Sequence, residues 1–123
     1  MQQIGTLLGR ILLGGFFVIA GINKLAAIDG TIAYMGSVGL PSVLAYPAAI
    51  FELVAGLFVV VGYQTRGAAV LLAGFCVVTA VMFHMQPGDQ MQMAMFMKNL
   101  AIAGGFLVLA SAGAGRISVD QRK

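Results

Sequence analysis

Four long apolar stretches follow one another along the chain, with short polar segments between them. About 20 apolar residues is the length that an α-helix needs to cross the hydrocarbon core of a bilayer. Because that core holds no water to bind backbone polar groups, such stretches are expected to be helices. The predicted spans cover residues 4–25, 42–62, 67–85 and 94–113. We therefore predict an all-α fold, an integral membrane four-helix bundle formed by one domain over residues 1–123.

The polar segments contain the residues that end helices and form turns. Residues 63–66 separate the second span from the third, and residues 86–90, which include Pro and Gly, separate the third from the fourth. The longest connection is 26–41, whose centre, residues 31–38, is too short to cross a membrane. We predict a short amphipathic segment there, lying at the membrane surface with Asp29 as its N-cap.

Basic residues near the ends of the spans predict the orientation. An even number of spans leaves both termini on one side of the membrane. That side holds four basic residues, Arg66, Arg116, Arg122 and Lys123. The opposite side holds only Lys24, at a span edge. Because short cytoplasmic segments carry the excess of Lys and Arg, we predict that both termini are cytoplasmic. A cleaved signal peptide is disfavoured, since Arg10 lies inside the first apolar run and not ahead of it.

Composition supports a membrane protein and excludes several other classes. Of the 123 residues, 60% are hydrophobic and only 9% are charged, whereas soluble domains carry about 25% charged residues. The net charge of +3 comes without a basic patch, so no nucleic-acid partner is expected. Cys76 is the only cysteine, which rules out a disulfide within the chain.

Glu52 is the only acidic residue inside any predicted span. A carboxylate within a bilayer is costly and is rarely kept without a partner or a task. Candidate partners lie in or at the edges of the spans: Arg10, Lys24, His84, Lys98 and Asn99. Gly14 follows Arg10 by four residues and Gly56 follows Glu52 by four, so each charge shares a helix face with a glycine. Since glycine lets helices approach closely, both charges are predicted to face other helices.

Two interpretations of this cluster remain open. In the first, Glu52 and one cation form a buried pair that fixes the register of the helices, while Arg10 and Lys24 reach toward opposite surfaces. In the second, the cluster is a polar pocket in the outer half of the bundle, suited to an anion or to a polar headgroup such as a quinone ring. Lys98 is the partner of Glu52 that we favour, with Lys24 and Arg10 as alternatives.

A metal site is not expected. Four alternating methionines precede and enter the last span: Met91, Met93, Met95 and Met97. Thioethers and the nearby His84 imidazole suit Cu(I). Alternation, however, places the methionines on different faces of a helix, and methionine is a common packing residue. Cys76 is predicted to be an inert core thiol.

Several segments resemble the DoxX family. The segments that carry the resemblance are Gly9-Arg10, residues 21–24 and 39–41, Glu52 with Gly56, residues 62–66, 96–105 and 113–120. The resemblance covers nearly the whole chain and implies a small four-helix, multi-pass protein of the bacterial inner membrane. Some members of the wider family are described as subunits of a thiosulfate:quinone oxidoreductase, and others as partners in membrane redox complexes. Many have no established activity.

We therefore expect an accessory component of a quinone- or sulfur-linked membrane redox system. Whether it is an enzyme is not decided by the sequence. Without paired cysteines or a haem or flavin motif, no covalently bound cofactor is expected, and quinone is the ligand considered. The expected partners are the lipid bilayer, a membrane redox protein and further copies of the chain. Two alternatives are small-solute transport by an oligomer, which Gly5 and Gly9 would support, and an assembly role in which the charges only stabilise the bundle.

Overall fold

The computed structural model describes residues 2–37, 39, 41–84 and 88–122, with the backbone alone at residues 2, 42, 83, 84, 121 and 122. These residues form α-helices and short 3-10 helices, with no strand among them. The α-helices are α1 (Gln2–Ala26), α2 (Ile28–Ser37), α3 (Ala45–Val61), α4 (Thr65–His84) and α5 (Gln90–Ala112). The 3-10 helices are Ser42–Leu44 and Val119–Arg122. The predicted all-α class is confirmed.

Three of these helices, α1, α4 and α5, are long and apolar enough to cross a membrane. The fourth apolar helix, α3, has 17 residues. At 1.5 Å per residue it is roughly 26 Å long, against a hydrocarbon core of roughly 30 Å. The helix α5 begins at Gln90, four residues before the predicted start of its span, because Asp89 caps it by accepting a 3.1 Å hydrogen bond from the Gln92 N–H.

The segment between α1 and α3 contains the short helix α2. It begins at Ile28, so Asp29 lies in its first turn and the N-cap prediction was wrong. The reason is that α2 follows α1 almost without interruption. The Ala27 N–H donates to the Asn23 carbonyl at 3.0 Å, and the Gly30 N–H donates to Ala27 at 3.1 Å. An acid in the first turn still interacts favourably with the helix dipole.

Helices α1 and α3 are antiparallel and touch through glycine. A Cβ atom placed on Gly14 would lie 2.7 Å from the Gly56 carbonyl oxygen, and one on Gly21 would lie 2.8 Å from the Leu53 nitrogen. A Cβ on Gly56 would in turn lie 2.7 Å from the Gly14 carbonyl oxygen. These distances are too short for any side chain, so the two backbones are in direct contact. We call this contact, formed by Gly14, Gly21 and Gly56, the glycine seam.

The core lies between this pair and the pair formed by α4 and α5. Its largest apolar members are Phe17, Leu72, Phe106 and Leu109, all buried. The rings of Phe17 and Phe106 lie 5.6 Å apart between centroids, which links α1 to α5 across the core. Small residues fill the rest of the α4 and α5 faces: Ala69, Ala73, Cys76 and Ala103. They let α4 and α5 pack along most of their length.

After α5 the chain turns back across the end of the bundle. Gly113 and Gly115 have positive φ angles of 85° and 82°, which allow the reversal. The Asp120 N–H then donates to the Gly62 carbonyl at 2.8 Å, at the point where α3 gives way to α4. We call residues 113–122 the C-terminal tail.

The glycine seam makes a prediction about stability. Gly21→Ala should lower the free energy of unfolding by about 1–3 kcal/mol, because the new Cβ overlaps the backbone of α3. Gly15→Ala is the matched control on the same helix, since a Cβ there meets nothing within 4 Å. The control should be as stable as the parent, or slightly more stable, because alanine favours helix. Thermal unfolding of detergent-solubilised protein, followed by circular dichroism, measures both. Equal melting temperatures for the two variants would contradict the direct backbone contact.

Candidate functional site

Glu52 lies on the face of α3 that meets α1 and is buried, with 3% of its surface exposed. Gly56 shares this face one turn further along, and Ala49 lies one turn before. These small residues draw α1 close to α3. The last turn of α1, which contains Lys24, therefore lies beside Glu52.

Lys24 and Glu52 form an ion pair. The Lys24 Nζ donates a hydrogen bond to the Glu52 Oε1 at 2.8 Å. The two partners differ in exposure, because 39% of the Lys24 side chain is exposed against 4% of the Glu52 side chain. The pair thus joins a buried carboxylate to an ammonium that reaches the surface of the bundle.

Only one oxygen of the carboxylate is used. Among the described residues, the buried Glu52 Oε2 has no hydrogen-bond partner. A buried acceptor without a hydrogen bond has lost its bonds to water, and no new hydrogen bond offsets the free energy of that loss. Within the ion pair, Oε2 is therefore the atom to which a water molecule or a polar ligand would supply the missing hydrogen bond.

Arg10 lies at the other end of the bundle. It is 14 residues before Lys24 on α1, or about 21 Å along the helix axis. Its side chain is buried, with 1% exposed, and its Nη2 donates to the Ile117 carbonyl at 2.6 Å. A Cβ on Gly62 would overlap Arg10 Nη1, so the left-handed Gly62 makes room for the guanidinium. The structure therefore brings Arg10 to the C-terminal tail and not to Glu52.

Lys98, which we favoured as the partner of Glu52, lies elsewhere. Its Nζ is 5.4 Å from the centroid of the Phe16 ring, a cation–π distance, and its side chain lies on the exposed surface of α5. Phe16 precedes Lys24 by eight residues on α1, about 12 Å along the axis. Lys24 takes the place beside Glu52 because the glycine seam sets the register of α1 against α3.

Asn99 joins α5 to α4. Its Nδ2 donates to the Thr79 Oγ1 at 3.2 Å, and the Thr79 hydroxyl donates to the Cys76 carbonyl at 3.2 Å. Cys76 itself is a buried, free thiol within the apolar core. The side chain of His84 lies outside the described residues.

The sequence did not lead us to predict that Asp120 caps a helix. Its two carboxylate oxygens accept from the backbone N–H groups of Gln64 and Thr65, at 2.8 and 3.0 Å. Asp120 therefore caps the start of α4, although 55 residues separate it from Thr65 in the chain. One signal was available: the preceding segment 62–64 offers no Ser, Thr, Asp or Asn in position to cap this helix.

The arrangement can bind a small polar group but offers little for a metal. No group of three or more His, Cys, Asp or Glu residues comes together in the part of the chain that the structure describes. The Lys24 ammonium can donate hydrogen bonds and the Glu52 Oε2 can accept one. A ligand held here would need both an acceptor and a donor, or a bridging water.

Comparison with known proteins finds a family and relatives that are named as inner membrane proteins. The DoxX family model matches residues 5–85. The chain is 38% identical over 121 residues to "Inner membrane protein YqjF" of Escherichia coli, covering 98% of this chain and 93% of that protein. It is 40% identical over 128 residues to "Inner membrane protein YphA" of the same organism, covering 98% and 91%.

A third relative matches a shorter part of the chain. "Putative oxidoreductase CatD" of Bacillus subtilis is 45% identical over 71 residues, which cover 58% of this chain and 53% of that protein. No solved structure matches the chain significantly.

Substitutions in the ion pair should change the stability of the protein in a specific pattern. Lys24→Met should destabilise the protein by up to about 3–5 kcal/mol, since it leaves the Glu52 carboxylate buried without its cation. The double variant Lys24→Met with Glu52→Gln should recover most of this loss, because no buried charge remains. Lys98→Met, at an exposed lysine away from the pair, is the control and should change the melting temperature little. Additive effects of the two substitutions in a double-mutant cycle would mean that the residues do not interact.

Proposed function

Because the chain belongs to the DoxX family, we propose that it is an accessory component of a quinone- or sulfur-linked membrane redox system, with a polar site inside its membrane domain. The observation that carries this proposal is the buried Glu52, whose Oε1 is paired with Lys24 while its Oε2 has no partner among the described residues. Intramembrane carboxylates of this kind usually serve a ligand or a proton path. The name of the Bacillus relative, "Putative oxidoreductase CatD", supports a link to redox chemistry.

The proposal includes a topology. In it, the three long apolar helices α1, α4 and α5 and the shorter apolar helix α3 all cross the bacterial inner membrane, and both termini are cytoplasmic. The nearly sufficient length of α3 supports its inclusion as a span. The basic residues Arg66 and Arg116, at the end of the bundle that holds the C-terminal tail, support the orientation. The names of both Escherichia coli relatives support the inner membrane.

In the proposed site, Lys24 and Glu52 bind the polar head of a membrane-soluble ligand. Lys24 donates to a carbonyl oxygen, as a quinone ring would offer, and the Glu52 Oε2 accepts from a hydroxyl, as a quinol would offer. Lys98 and Asn99, on α5, would extend the proposed site but not form its centre, since their recorded contacts among the described residues are with Phe16 and Thr79. The electron carriers of the system would be supplied by a partner protein.

A binding titration tests the proposal. Purified protein is titrated by calorimetry with a short-chain benzoquinone and with its quinol. Glu52→Gln and Lys24→Met should each weaken binding by about tenfold or more, the effect of losing one hydrogen bond to a charged group. Val54→Leu, an exposed apolar change on α3, is the matched control and should bind as the parent does. Lys98→Met then reports whether the site extends to α5.

A purely structural role is the second candidate, and the short ion pair at the α1–α3 contact favours it. In that case Glu52→Gln would lower the melting temperature, and neither the parent nor any variant would bind quinone or quinol. That result would remove the redox proposal and leave the pair as a device that fixes helix register.

A further inference from the structure

Lys98 lies in an environment that a lysine rarely occupies. It is on α5, eight residues after Gln90, or about 12 Å along the helix from its start. This helix is a candidate membrane span, and the Lys98 side chain is exposed on its surface. Among the described residues it forms no ion pair, and its Nζ lies 5.4 Å from the centroid of the Phe16 ring. A charge at this depth in a span is costly and usually marks a polar partner.

Lys98 is exposed because α5 diverges from α1 toward its own start. Met91, Lys98 and Gly105 are seven residues apart, about two turns, so they share one face of α5. Gly105 contacts α1, since a Cβ atom on it would lie 3.4 Å from the Leu13 Cδ2. On the same face nearer the start of the helix, Lys98 is exposed and Met91 is 71% exposed. The space that opens between the two helices, beside Met91 and Lys98, is called the α1–α5 cleft.

The wall that α1 contributes to the α1–α5 cleft is apolar and fixed in position. Phe16 is 45% exposed, and its ring packs edge to face on Phe17 with 5.2 Å between centroids. Phe17 contacts Phe106 of α5, so the core holds the ring that faces Lys98. Gly9, seven residues before Phe16, would have nothing within 4 Å of an added Cβ atom. A further helix can approach α1 closely at such a residue.

The charge of Lys98 restricts what can fill the α1–α5 cleft. An acyl chain offers no acceptor, and lipid phosphates lie near the ends of the spans, whereas the ammonium is held beside Phe16. A second copy of the chain offers no suitable acid. Of the four acidic residues in the sequence, only Glu52 lies within α1, α3, α4 or α5, and it is buried and paired with Lys24. Charge complementarity therefore favours a helix of a different membrane protein.

We propose that the α1–α5 cleft is a docking site for a transmembrane helix of a partner protein that carries an Asp or Glu at the level of Lys98. The acid pairs with the Lys98 ammonium, and apolar side chains of the partner helix pack on Phe16 and Met91. Pairing of opposite charges between helices removes the cost of each charge in the bilayer. The inference does not rest on the proposed redox role, because this docking involves neither a quinone nor the Lys24–Glu52 pair.

Association with synthetic transmembrane peptides tests the docking site. The full chain, with a fluorescent donor at its N-terminus, is reconstituted in phosphatidylcholine vesicles with acceptor-labelled leucine–alanine helices. One peptide carries Asp about 12 Å from its start, which matches the depth of Lys98, and the other carries Leu there. Energy transfer should show that the parent binds the Asp peptide about threefold or more tightly than the Leu peptide, the effect of one polar contact between membrane helices.

Variants assign the contact to the cleft. Lys98→Met should abolish the preference for the Asp peptide, and Lys98→Arg, which keeps the charge, should retain it. The double variant Lys98→Met with Met97→Lys is the matched control, because it keeps a lysine near the same depth but turns it about 100° around α5, away from α1. It should behave as Lys98→Met does. Since both positions are exposed, these variants should fold as the parent does, which their melting temperatures check.

Three results would overturn the inference. Equal association of the parent with the Asp and Leu peptides would show that the cleft recognises no acid. A double variant that prefers the Asp peptide as the parent does would show that any exposed lysine on α5 suffices. Equal association with both peptides, together with Lys98-dependent retention of phosphatidylglycerol over phosphatidylcholine in native mass spectrometry, would assign the ammonium to a lipid phosphate.

Discussion

The direct contact between the backbones of α1 and α3 sets the positions of both buried charges. Gly14 and Gly21 on α1, with Gly56 on α3, leave no room for a Cβ atom at the contact. The contact fixes how far one helix is shifted along the other. In this register Lys24 lies beside Glu52 at one end, and Arg10 lies beside Gly62 at the other. A shift of one helical turn, about 5.4 Å, would separate both pairs.

The buried charges at the two ends of the bundle, Glu52 and Arg10, are compensated by different groups. The negative charge of Glu52 is balanced by Lys24 of the neighbouring helix α1, whose side chain stays partly exposed. Arg10 donates to a carbonyl of the C-terminal tail, and the Asp120 carboxylate of the same tail interacts with its charge. Asp120 brings the tail to this place, because it caps α4 and bonds to Gly62. The tail therefore completes the bundle: it supplies both the acceptor for Arg10 and the cap for α4.

The sequence predicted the helical class and the burial of Glu52, since both follow from hydropathy and from the cost of charge in an apolar run. It did not predict which cation reaches Glu52. Lys24, Lys98 and Arg10 all lie in apolar surroundings, and the choice among them depends on the register between helices, which is set by contacts distant in sequence. Asp120 was missed for the same reason, since its role is visible only after the tail has folded back onto the start of α4.

The difference between the two ends limits how a ligand could reach the proposed site. At the end that holds Arg10, the C-terminal tail covers the charge and leaves 1% of the residue exposed. At the other end, Glu52 is buried to a similar extent, but its partner Lys24 keeps 39% of its side chain exposed. In the proposed site, the Lys24 ammonium is the part of the pair that an approaching polar group can reach first, because Lys24 is the more exposed partner. A ligand selected in this way must first offer an acceptor to Lys24, which favours carbonyl and anionic headgroups over ligands that can only donate.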